Sequence, residues 1–314
     1  MMDVMDAKDA PRITDLPHEA LAGERQVRTG VLSDADLAQF AEQGYVVVPD
    51  AVPEANLRAM EELIWRFLDA DEEDVESWYR TEPREATGEE SPISRAGMVE
   101  VYQQPELWDN RQYPRVYQAF TDIWQTEQLW VTLDRANMKP PVRDDHPEWQ
   151  HGGFIHWDLD TTQDPVPFGV QGVLYLTDTA ADQGGFQCVP GFPRRFAEWV
   201  RTQPADRDPR FPDLTGLEVE SIPGRAGDLL IWNSLLPHGN GENTSERPRL
   251  AQYISMFPAP RGSEQERRDR IAAWRERRSV SGWPGDPRRW EQRQGRQAAL
   301  NGLGRRLLGL DAWD

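Results

Sequence analysis

The sequence predicts a mainly β fold of the jelly-roll type with flanking helices, and three observations indicate it. From residue 129 to about 257 the chain shows short strand-like runs separated by Gly, Pro, Asp and Asn: "LWVTLDRA", "FIHWDLD", "FGVQGVLYLTD", "GGFQCVP", "DLLIWN" and "RLAQYISMF". Most of these runs have no helical crossover of adequate length between them, which favours a sandwich or barrel over a parallel sheet. Helical patterns lie before and after this region.

The N-terminal part predicts an extended arm followed by a helix, a strand and a second helix. Residues 1–30 lack periodicity. In "LSDADLAQFAEQGY" Ser33 is a good cap, acids occupy the first turn and Gly44 is a stop signal, so we expect a helix. The run "YVVVPD" predicts a short strand, and "VPEANLRAMEELIWRFLDA" has the apolar spacing of an amphipathic helix.

Further helices are expected on both sides of the strand region. The acidic stretch 71–95 has no apolar period and predicts a solvated loop or lid, and "YPRVYQAFTDIWQTEQ" predicts a helix. The tail predicts helices in which interleaved arginines and glutamates form ion pairs along a solvated face. We therefore expect an arm at 1–30, one domain at 31–260 with the N-terminal helices, and a helical extension at 261–314 packed on that domain.

Composition excludes several classes of protein. A hydrophobic fraction of 38% with 13 Trp, 10 Phe and 7 Tyr among 314 residues predicts a folded globular protein. The single cysteine, Cys188, excludes an internal disulfide framework and a multi-cysteine metal site, and we expect it to be a buried apolar residue. A net charge of −19 argues against nucleic acid and anionic membranes as partners. The N-terminus has no apolar segment, so a cytoplasmic location is expected.

The stretch "FIHWDLD" carries the first chemical signal. Residues two apart on a strand point to the same face, so His156 and Asp158 can present an imidazole and a carboxylate to one point, with Trp157 facing the other way. Asp160 continues the alternation and is also a candidate. Asp158 is favoured because the closer pair converges more easily on one ion, whereas Asp160 can equally be a turn residue.

A third ligand would complete a face of two histidines and one carboxylate, which leaves three coordination positions open on non-haem Fe(II). The candidates are His18, His146, His151 and His238. His18 lies in the arm, His146 in a Pro-flanked loop and His151 before two glycines. Each is therefore expected at the surface or as a residue that contacts a ligand without binding the metal itself. His238 enters a Gly-rich corner after the strand "DLLIWN", a position that suits a ligand from a distant strand.

Two basic residues are candidates to bind an anionic ligand. Arg249 opens the apolar strand "RLAQYISMF", eleven residues beyond His238, and an arginine aimed inward there needs a carboxylate partner. Lys139, in "NMKPPVRDD", can contact a substrate or co-substrate anion, but its position before two prolines favours a loop residue. The motif HxD alone is weak evidence, whereas its combination with a distal histidine and this arginine is much more specific.

These residues resemble the phytanoyl-CoA dioxygenase (PhyH)-like family of Fe(II)- and 2-oxoglutarate-dependent oxygenases. The resemblance extends over most of the chain, from "LAQFAEQGYVVVPDAV" through "HWD", "LYLTDTAADQGGFQCVPGFPR" and "GDLLIWNSLLPHGNG" to "ERPRLAQY". It implies a double-stranded β-helix, a jelly-roll variant, as the catalytic core. The last forty or so residues are not diagnostic.

The resemblance also implies a set of site residues. By position, His156, Asp158 and His238 match the family's iron ligands, and Arg249 matches the arginine that binds the distal carboxylate of 2-oxoglutarate. Asn240 sits where relatives often have a serine near the co-substrate. Halogenating relatives carry a small residue in place of the carboxylate, so the presence of Asp158 favours oxygenation. The implied activity is hydroxylation with O2, releasing succinate and CO2.

The sequence alone leaves open the substrate, the oligomeric state and two alternative functions. We expect a small-molecule substrate, uncharged or zwitterionic, and a monomer or homodimer. Trp130, Trp232, Phe154 and Tyr175 are candidates to line the cavity, although each is also a typical core residue. The alternatives are a non-catalytic metal-binding jelly-roll protein and a metal-assisted hydrolase with zinc on the same ligands, which requires a general base. The arginine argues against the first, since a binder has no need of it.

Overall fold

A computed structural model describes residues 30–87, 91–151, 153–259 and 263–313. The helices are α1 Asp34–Gln43, α2 Glu54–Leu68, α3 Arg84–Thr87, α4 Pro105–Arg111, α5 Pro114–Trp124, α6 Phe192–Thr202, α7 Glu264–Glu276, α8 Trp290–Gln294 and α9 Gly302–Leu308. The strands are β1 Tyr45–Val48, β2 Met98–Val99, β3 Leu129–Val131, β4 Ala136–Lys139, β5 Val170–Tyr175, β6 Phe186–Cys188, β7 Glu220–Ser221, β8 Leu229–Asn233, β9 His238–Asn240, β10 Arg249–Tyr253 and β11 Met256–Pro258. The predicted arm, with His18, lies outside the described residues apart from Gly30.

The strands pair entirely in antiparallel fashion in the described part of the chain. The larger sheet has the order β1-β8-β5-β10-β4-β2, the smaller sheet has the order β7-β6-β9, and β11 pairs with β3. Strands that are distant in sequence are neighbours in both sheets, as expected for jelly-roll topology. The predicted double-stranded β-helix with flanking helices is confirmed by this arrangement and by the fold comparison given below.

The two faces of the larger sheet bury different sets of residues. Leu250 and Met138 belong to the larger apolar core, which also holds the buried side chains of α2 and α5. Ala251, Tyr175 and Trp232 belong to a second core that includes β6 of the smaller sheet. Because side chains alternate along a strand, Arg249 shares the face of Ala251, and the functional residues of this strand therefore lie between the sheets.

The segment "FIHWDLD" is not the continuous strand that its alternation predicts. His156 makes a single antiparallel bridge to His238, with backbone N–H to C=O distances of 2.9 and 3.0 Å, at the edge of the smaller sheet. The side chain of Trp157 does point away from the histidine: it is buried, donates from Nε1 to the Leu235 carbonyl at 2.8 Å, and packs against α6. One bridge is enough to set the orientation of neighbouring side chains.

Local signals predicted the N-terminal elements well, but α6 was not predicted. The Ser33 and Asp36 side chains form a reciprocal capping box on α1, and Gly44 ends the helix at a φ of 85°. The predicted strand and amphipathic helix that follow are present as β1 and α2. Helix α6 interrupts the predicted strand region because "FPRRFAEWVRT" buries Phe192 and Phe196 on one side.

Two surface predictions are wrong in part. The stretch 71–95, outside residues 88–90, is not simply solvated: Trp78 and Tyr79 are buried, and the Tyr79 hydroxyl donates to the Pro141 carbonyl at 2.7 Å. The predicted tail helices exist as α7, α8 and α9, but Arg270 does not lie on a solvated face. It is buried and donates to three backbone carbonyls, those of Leu308, Val131 and Leu307.

Two further sequence expectations concern burial and membranes. Cys188 is fully buried, and burial raises the pKa of its thiol. Among the helices of the described ranges, none is both long and apolar enough to cross a membrane.

Candidate metal centre

Three potential ligands converge where the bridge joins residue 156 to β9. The Nε2 atoms of His156 and His238 each lie 3.4 Å from a carboxylate oxygen of Asp158. Ligand atoms of the three side chains all fall within 4.8 Å of one another, and within the described ranges these are the His, Cys, Asp or Glu residues that form such a group. Two imidazoles and one carboxylate on one side of a potential ion are the donor set of a facial triad.

His238 is oriented as a metal ligand requires. His238 Nδ1 lies 2.9 Å from the Leu236 carbonyl, and because a carbonyl accepts only, this nitrogen carries a proton; Nε2 is then the nitrogen that faces Asp158 and that can bind a metal once it has lost its own proton. Phe186 stacks on the His238 ring at 6.0 Å between centroids, and Trp232 lies 5.0 Å from it. These rings exclude water from one side of the imidazole, whose side chain is only 6% exposed.

The carboxylate lies on the open side of the triad. The Asp158 side chain is 44% exposed, compared with 17% for His156. Burial raises the pKa of Asp158, but hydrogen bonds from the two histidines outweigh that effect and hold the pKa well below its usual range, so the group is an anion. Gln171 Nε2 donates to its Oδ2 at 2.6 Å, and a guanidinium nitrogen of Arg210 lies 3.6 Å from Oδ1.

Deeper between the sheets, two cations lie side by side. Arg249 and Lys139 are direct register partners of β10 and β4, and their exposures are 0% and 1%. Arg249 donates to the Tyr253 hydroxyl at 3.4 Å, while its Nε and Nη2 have no hydrogen-bond partner among the described residues. Burial and the neighbouring Arg249 lower the pKa of Lys139 to about 8. Buried donors without acceptors on two adjacent cations fit a carboxylate ligand.

A short chain of contacts links this cationic pair to the triad. Asn240, two residues beyond His238, donates from Nδ2 to the Tyr253 hydroxyl at 2.9 Å, the same hydroxyl that accepts from Arg249. The Lys139 ammonium donates to the Gly241 carbonyl on the same turn of chain. Residues on and just after β9 therefore connect the triad to the cationic pair through hydrogen bonds.

The other candidates from the sequence lie elsewhere. His146 pairs with Glu148 at 2.9 Å and stacks on Tyr79, and His151 accepts from the Gly153 backbone N–H at 3.3 Å. Asp160 accepts from the backbone N–H and the hydroxyl of Thr162, which makes it a turn residue.

Of the aromatic candidates, Trp232 borders the triad, while Phe154 is 48% exposed with its ring 4.7 Å from that of His156. Tyr175 is fully buried, and its hydroxyl donates to the Ile222 carbonyl. Trp130 lies away from the site, against Arg270 and Phe257.

Sequence reasoning missed several residues around the site. The interpretation of Lys139 as a loop residue is wrong, since it ends β4 and is buried against Arg249. Its rarity, as one of two lysines in the chain with Lys8, was the available signal. Gln171 and Tyr253 were not singled out, because a polar residue within an apolar strand does not by itself say which ligand it faces.

The comparisons with known proteins agree with this site. The sequence profile of the family described as phytanoyl-CoA dioxygenase (PhyH) matches residues 40–251, which include the triad, Asn240 and Arg249. The chain belongs to the phytanoyl-CoA dioxygenase family. The resemblance inferred from the sequence is thereby confirmed.

Individual relatives are similar over parts of the chain. A Dictyostelium discoideum protein whose name places it with phytanoyl-CoA dioxygenases is 27% identical over 187 residues, which are 48% of this chain and 53% of that protein. An ectoine dioxygenase of Bordetella bronchiseptica is 27% identical over 156 residues, 45% of this chain and 50% of that enzyme. The chain thus spans about half the length of these two curated relatives.

A solved structure shows the same fold. The epimerase SnoN, in complex with Fe3+, α-ketoglutarate and nogalamycin RO, superposes with a TM-score of 0.50 at 18% identity, covering 84% of this chain and 94% of that chain. At this identity the likeness shows the shared architecture.

Proposed function

We propose that this protein is an Fe(II)- and 2-oxoglutarate-dependent dioxygenase that hydroxylates a small-molecule substrate with release of succinate and CO2. The observation that carries the proposal is the pairing of the triad with a buried arginine whose Nε and Nη2 lack acceptors in the described part of the chain. In the overall reaction a substrate R–H, 2-oxoglutarate and O2 give R–OH, succinate and CO2, which balances in atoms and electrons.

The residues divide the work between metal and co-substrate. His156, Asp158 and His238 would hold Fe(II), which with 2-oxoglutarate and O2 supplies the oxidising capacity for a C–H bond. Arg249 would bind the distal carboxylate of 2-oxoglutarate, with Lys139 beside it as a second cation. Asn240 would orient the Tyr253 hydroxyl, so that the hydroxyl accepts from Arg249 and keeps the guanidinium in place.

Neither alternative uses all of these features. A metal-binding protein without catalysis has no need of two buried cations that lack a carboxylate. A zinc hydrolase needs a general base beside the metal, but among the described residues the polar partners around Asp158 are the two histidines, an amide from Gln171 and the Arg210 cation. The site therefore fits the oxygenase best.

The test is anaerobic visible absorption of purified protein titrated with Fe(II) and then with 2-oxoglutarate. We expect a charge-transfer band that requires both additions, and we expect Arg249→Ala to need at least tenfold more 2-oxoglutarate for the same band, because about 1.5–3 kcal/mol is lost with hydrogen bonds to a charged group. Arg58→Ala, which removes an exposed arginine paired with Glu54 on α2, is the matched control. A folded protein that shows no band would contradict the proposal.

A further inference from the structure

The open side of the triad carries two exposed aromatic rings. Phe154 and Phe211 are 48% and 51% exposed, although large apolar side chains are usually buried. Their ring centroids lie 6.1 Å apart, and the Phe154 ring lies 4.7 Å from that of the proposed ligand His156. The two rings thus form an apolar surface at the side from which Asp158 is accessible, which we call the aromatic lip.

The Arg210 guanidinium lies next to the aromatic lip and close to the triad. Arg210 immediately precedes Phe211, its side chain is 53% exposed, and its guanidinium lies 3.6 Å from Asp158 Oδ1. The residue is fixed rather than free: its carbonyl accepts from the Trp157 backbone N–H at 2.8 Å, and its Nε donates to the Trp157 carbonyl at 3.2 Å. The terminal guanidinium nitrogens are therefore held at the open side of the triad.

The loop that presents this cation is built to hold it there. Asp208 accepts from the backbone N–H groups of Arg210 and Phe211 at 2.7 and 2.9 Å. Thr161 donates from its backbone and its hydroxyl to the Pro209 carbonyl, at 3.1 and 2.7 Å. The loop thus runs beside the chain segment of the proposed metal ligands and is hydrogen-bonded to it.

A metal ion changes what the arginine can pair with. A divalent cation bound by the triad competes for the Asp158 charge at shorter range than the guanidinium, so Arg210 then lacks a full counter-charge. An arginine in this situation pairs well with a carboxylate, because its planar fork matches the two oxygens. The protein carries a net charge of −19, which repels anions in general, so a carboxylate is favoured only locally, beside a fixed cation such as Arg210.

We infer that the substrate is a carboxylic acid with an apolar or aromatic body, whose carboxylate pairs with Arg210 while its body lies on Phe154 and Phe211. This inference rests on the proposed function, and it replaces the uncharged or zwitterionic metabolite expected from the sequence with an anionic one. The C–H bond that is hydroxylated belongs to the part of the body nearest the triad.

The experiment measures binding without turnover. Protein loaded with Fe(II) and 2-oxoglutarate is kept anaerobic and titrated in a calorimeter with acids and their primary amides: phenylacetate and phenylacetamide, 3-phenylpropionate and 3-phenylpropionamide, cyclohexanecarboxylate and cyclohexanecarboxamide, and octanoate and octanamide. We expect at least one acid of the panel to bind about tenfold more tightly than its own amide, which is the factor typical of one charged hydrogen-bonded contact. A panel in which no acid binds more tightly than its amide, whether both bind or neither, overturns the inference.

Variants separate the charge from the apolar surface. Arg210→Gln should abolish the preference for the acid, Arg210→Lys should retain part of it, and Phe211→Ala should weaken acid and amide by the same factor. Arg58→Gln has the same effect on net charge far from the lip and should leave the preference unchanged. An Arg210→Gln protein that needs more Fe(II) but still prefers the acid would make Arg210 a positioning residue of Asp158 and overturn the inference.

The absorption test keeps this result distinct from failure of the proposed function. If the band that requires Fe(II) and 2-oxoglutarate does not form in wild-type protein, the dioxygenase proposal fails. If the band forms in wild type and in Arg210→Gln at equal Fe(II), and the acid preference is absent from both, only the substrate class is wrong.

Discussion

Lys139 and Arg249 face each other across two neighbouring antiparallel strands as direct register partners, and both are almost completely buried. Two buried cations side by side repel each other and have lost their hydration, so the ligand-free protein is less stable for their presence. Such a pair is useful only if an anion binds there. The unfavourable burial of these two cations therefore indicates an anion-binding function, and the first two predictions follow from it.

Arg249→Leu is expected to stabilise the ligand-free protein by about 1–3 kcal/mol, because an apolar side chain replaces a buried cation whose Nε and Nη2 have no acceptor in the described part of the chain. The same variant should lose the increase in Tm that 2-oxoglutarate gives to wild type. Arg270→Leu is the matched control, since this equally buried arginine donates to three carbonyls, and its loss should destabilise by about 3 kcal/mol. Equal effects of the two substitutions on Tm would contradict the prediction.

The affinity for 2-oxoglutarate should fall as the pH rises past about 8. Burial, with Arg249, lowers the pKa of Lys139 to about 8 from an ordinary value of 10.5, so the folded protein loses this proton before the unfolded chain does. The free energy of unfolding of ligand-free protein should therefore rise between about pH 8 and 10.5. Chemical denaturation and calorimetry across this range test both effects, with Lys139→Met as control. A pH profile shared by wild type and the variant would show that another group is responsible.

Asp158→Ala should abolish binding of Fe(II), whereas Asp160→Ala should not. Asp158 lies 3.4 Å from the Nε2 atoms of both histidines, whereas Asp160 accepts hydrogen bonds from Thr162 within a turn. Losing one of three ligands removes most of the affinity, and the turn variant should lose only about 1 kcal/mol of stability. Metal content after anaerobic gel filtration distinguishes them. Retained iron in Asp158→Ala, or loss of iron in Asp160→Ala, would show that the carboxylate ligand is misassigned.

Glu291→Ala should destabilise the whole protein in one cooperative transition. The Glu291 carboxylate, 2% exposed, accepts from the backbone N–H groups of Tyr102 and Gln103 and from the Gln104 amide at 2.7–3.0 Å. Removing it leaves three buried donors without an acceptor, at a cost of about 3 kcal/mol or more. Differential scanning calorimetry measures this. A second, separate transition for the C-terminal helices would contradict the prediction that residues 261–314 belong to the same domain as residues 31–260.

Glu291 also has a pH dependence of its own. Burial raises its pKa to about 7 from an ordinary value of 4.5, although its hydrogen bonds oppose the shift. The folded protein therefore binds this proton more tightly than the unfolded chain does, and this group lowers the free energy of unfolding as the pH rises from about 4.5 to 7. In Glu291→Gln that dependence should disappear from denaturation curves measured across this range. Denaturation curves whose pH dependence matches that of wild type would assign it to another acid.

The sequence by itself determined the elements and residues that depend on short-range chemistry. The first helix followed from Ser33, the acids after it and Gly44, because capping and termination involve neighbours in the chain. The HxD spacing placed two side chains together for the same local reason. The positions of His238 and Arg249 beside predicted strands made them candidates, and the family resemblance implied their roles. The strand runs predicted a sandwich or barrel fold, since turn residues separate them and most have no helical crossover between them.

Only the tertiary structure decided which residues from distant parts of the chain surround the site residues predicted from the sequence. Lys139 was expected in a loop, and only its pairing with β10 buries it beside Arg249. The contact of Arg210 with Asp158 depends on a loop that returns to the ligand segment from beyond α6. Such contacts are set by the packing of segments far apart in the chain, where hydrogen bonds and burial outweigh local propensity, and no single-sequence pattern records them.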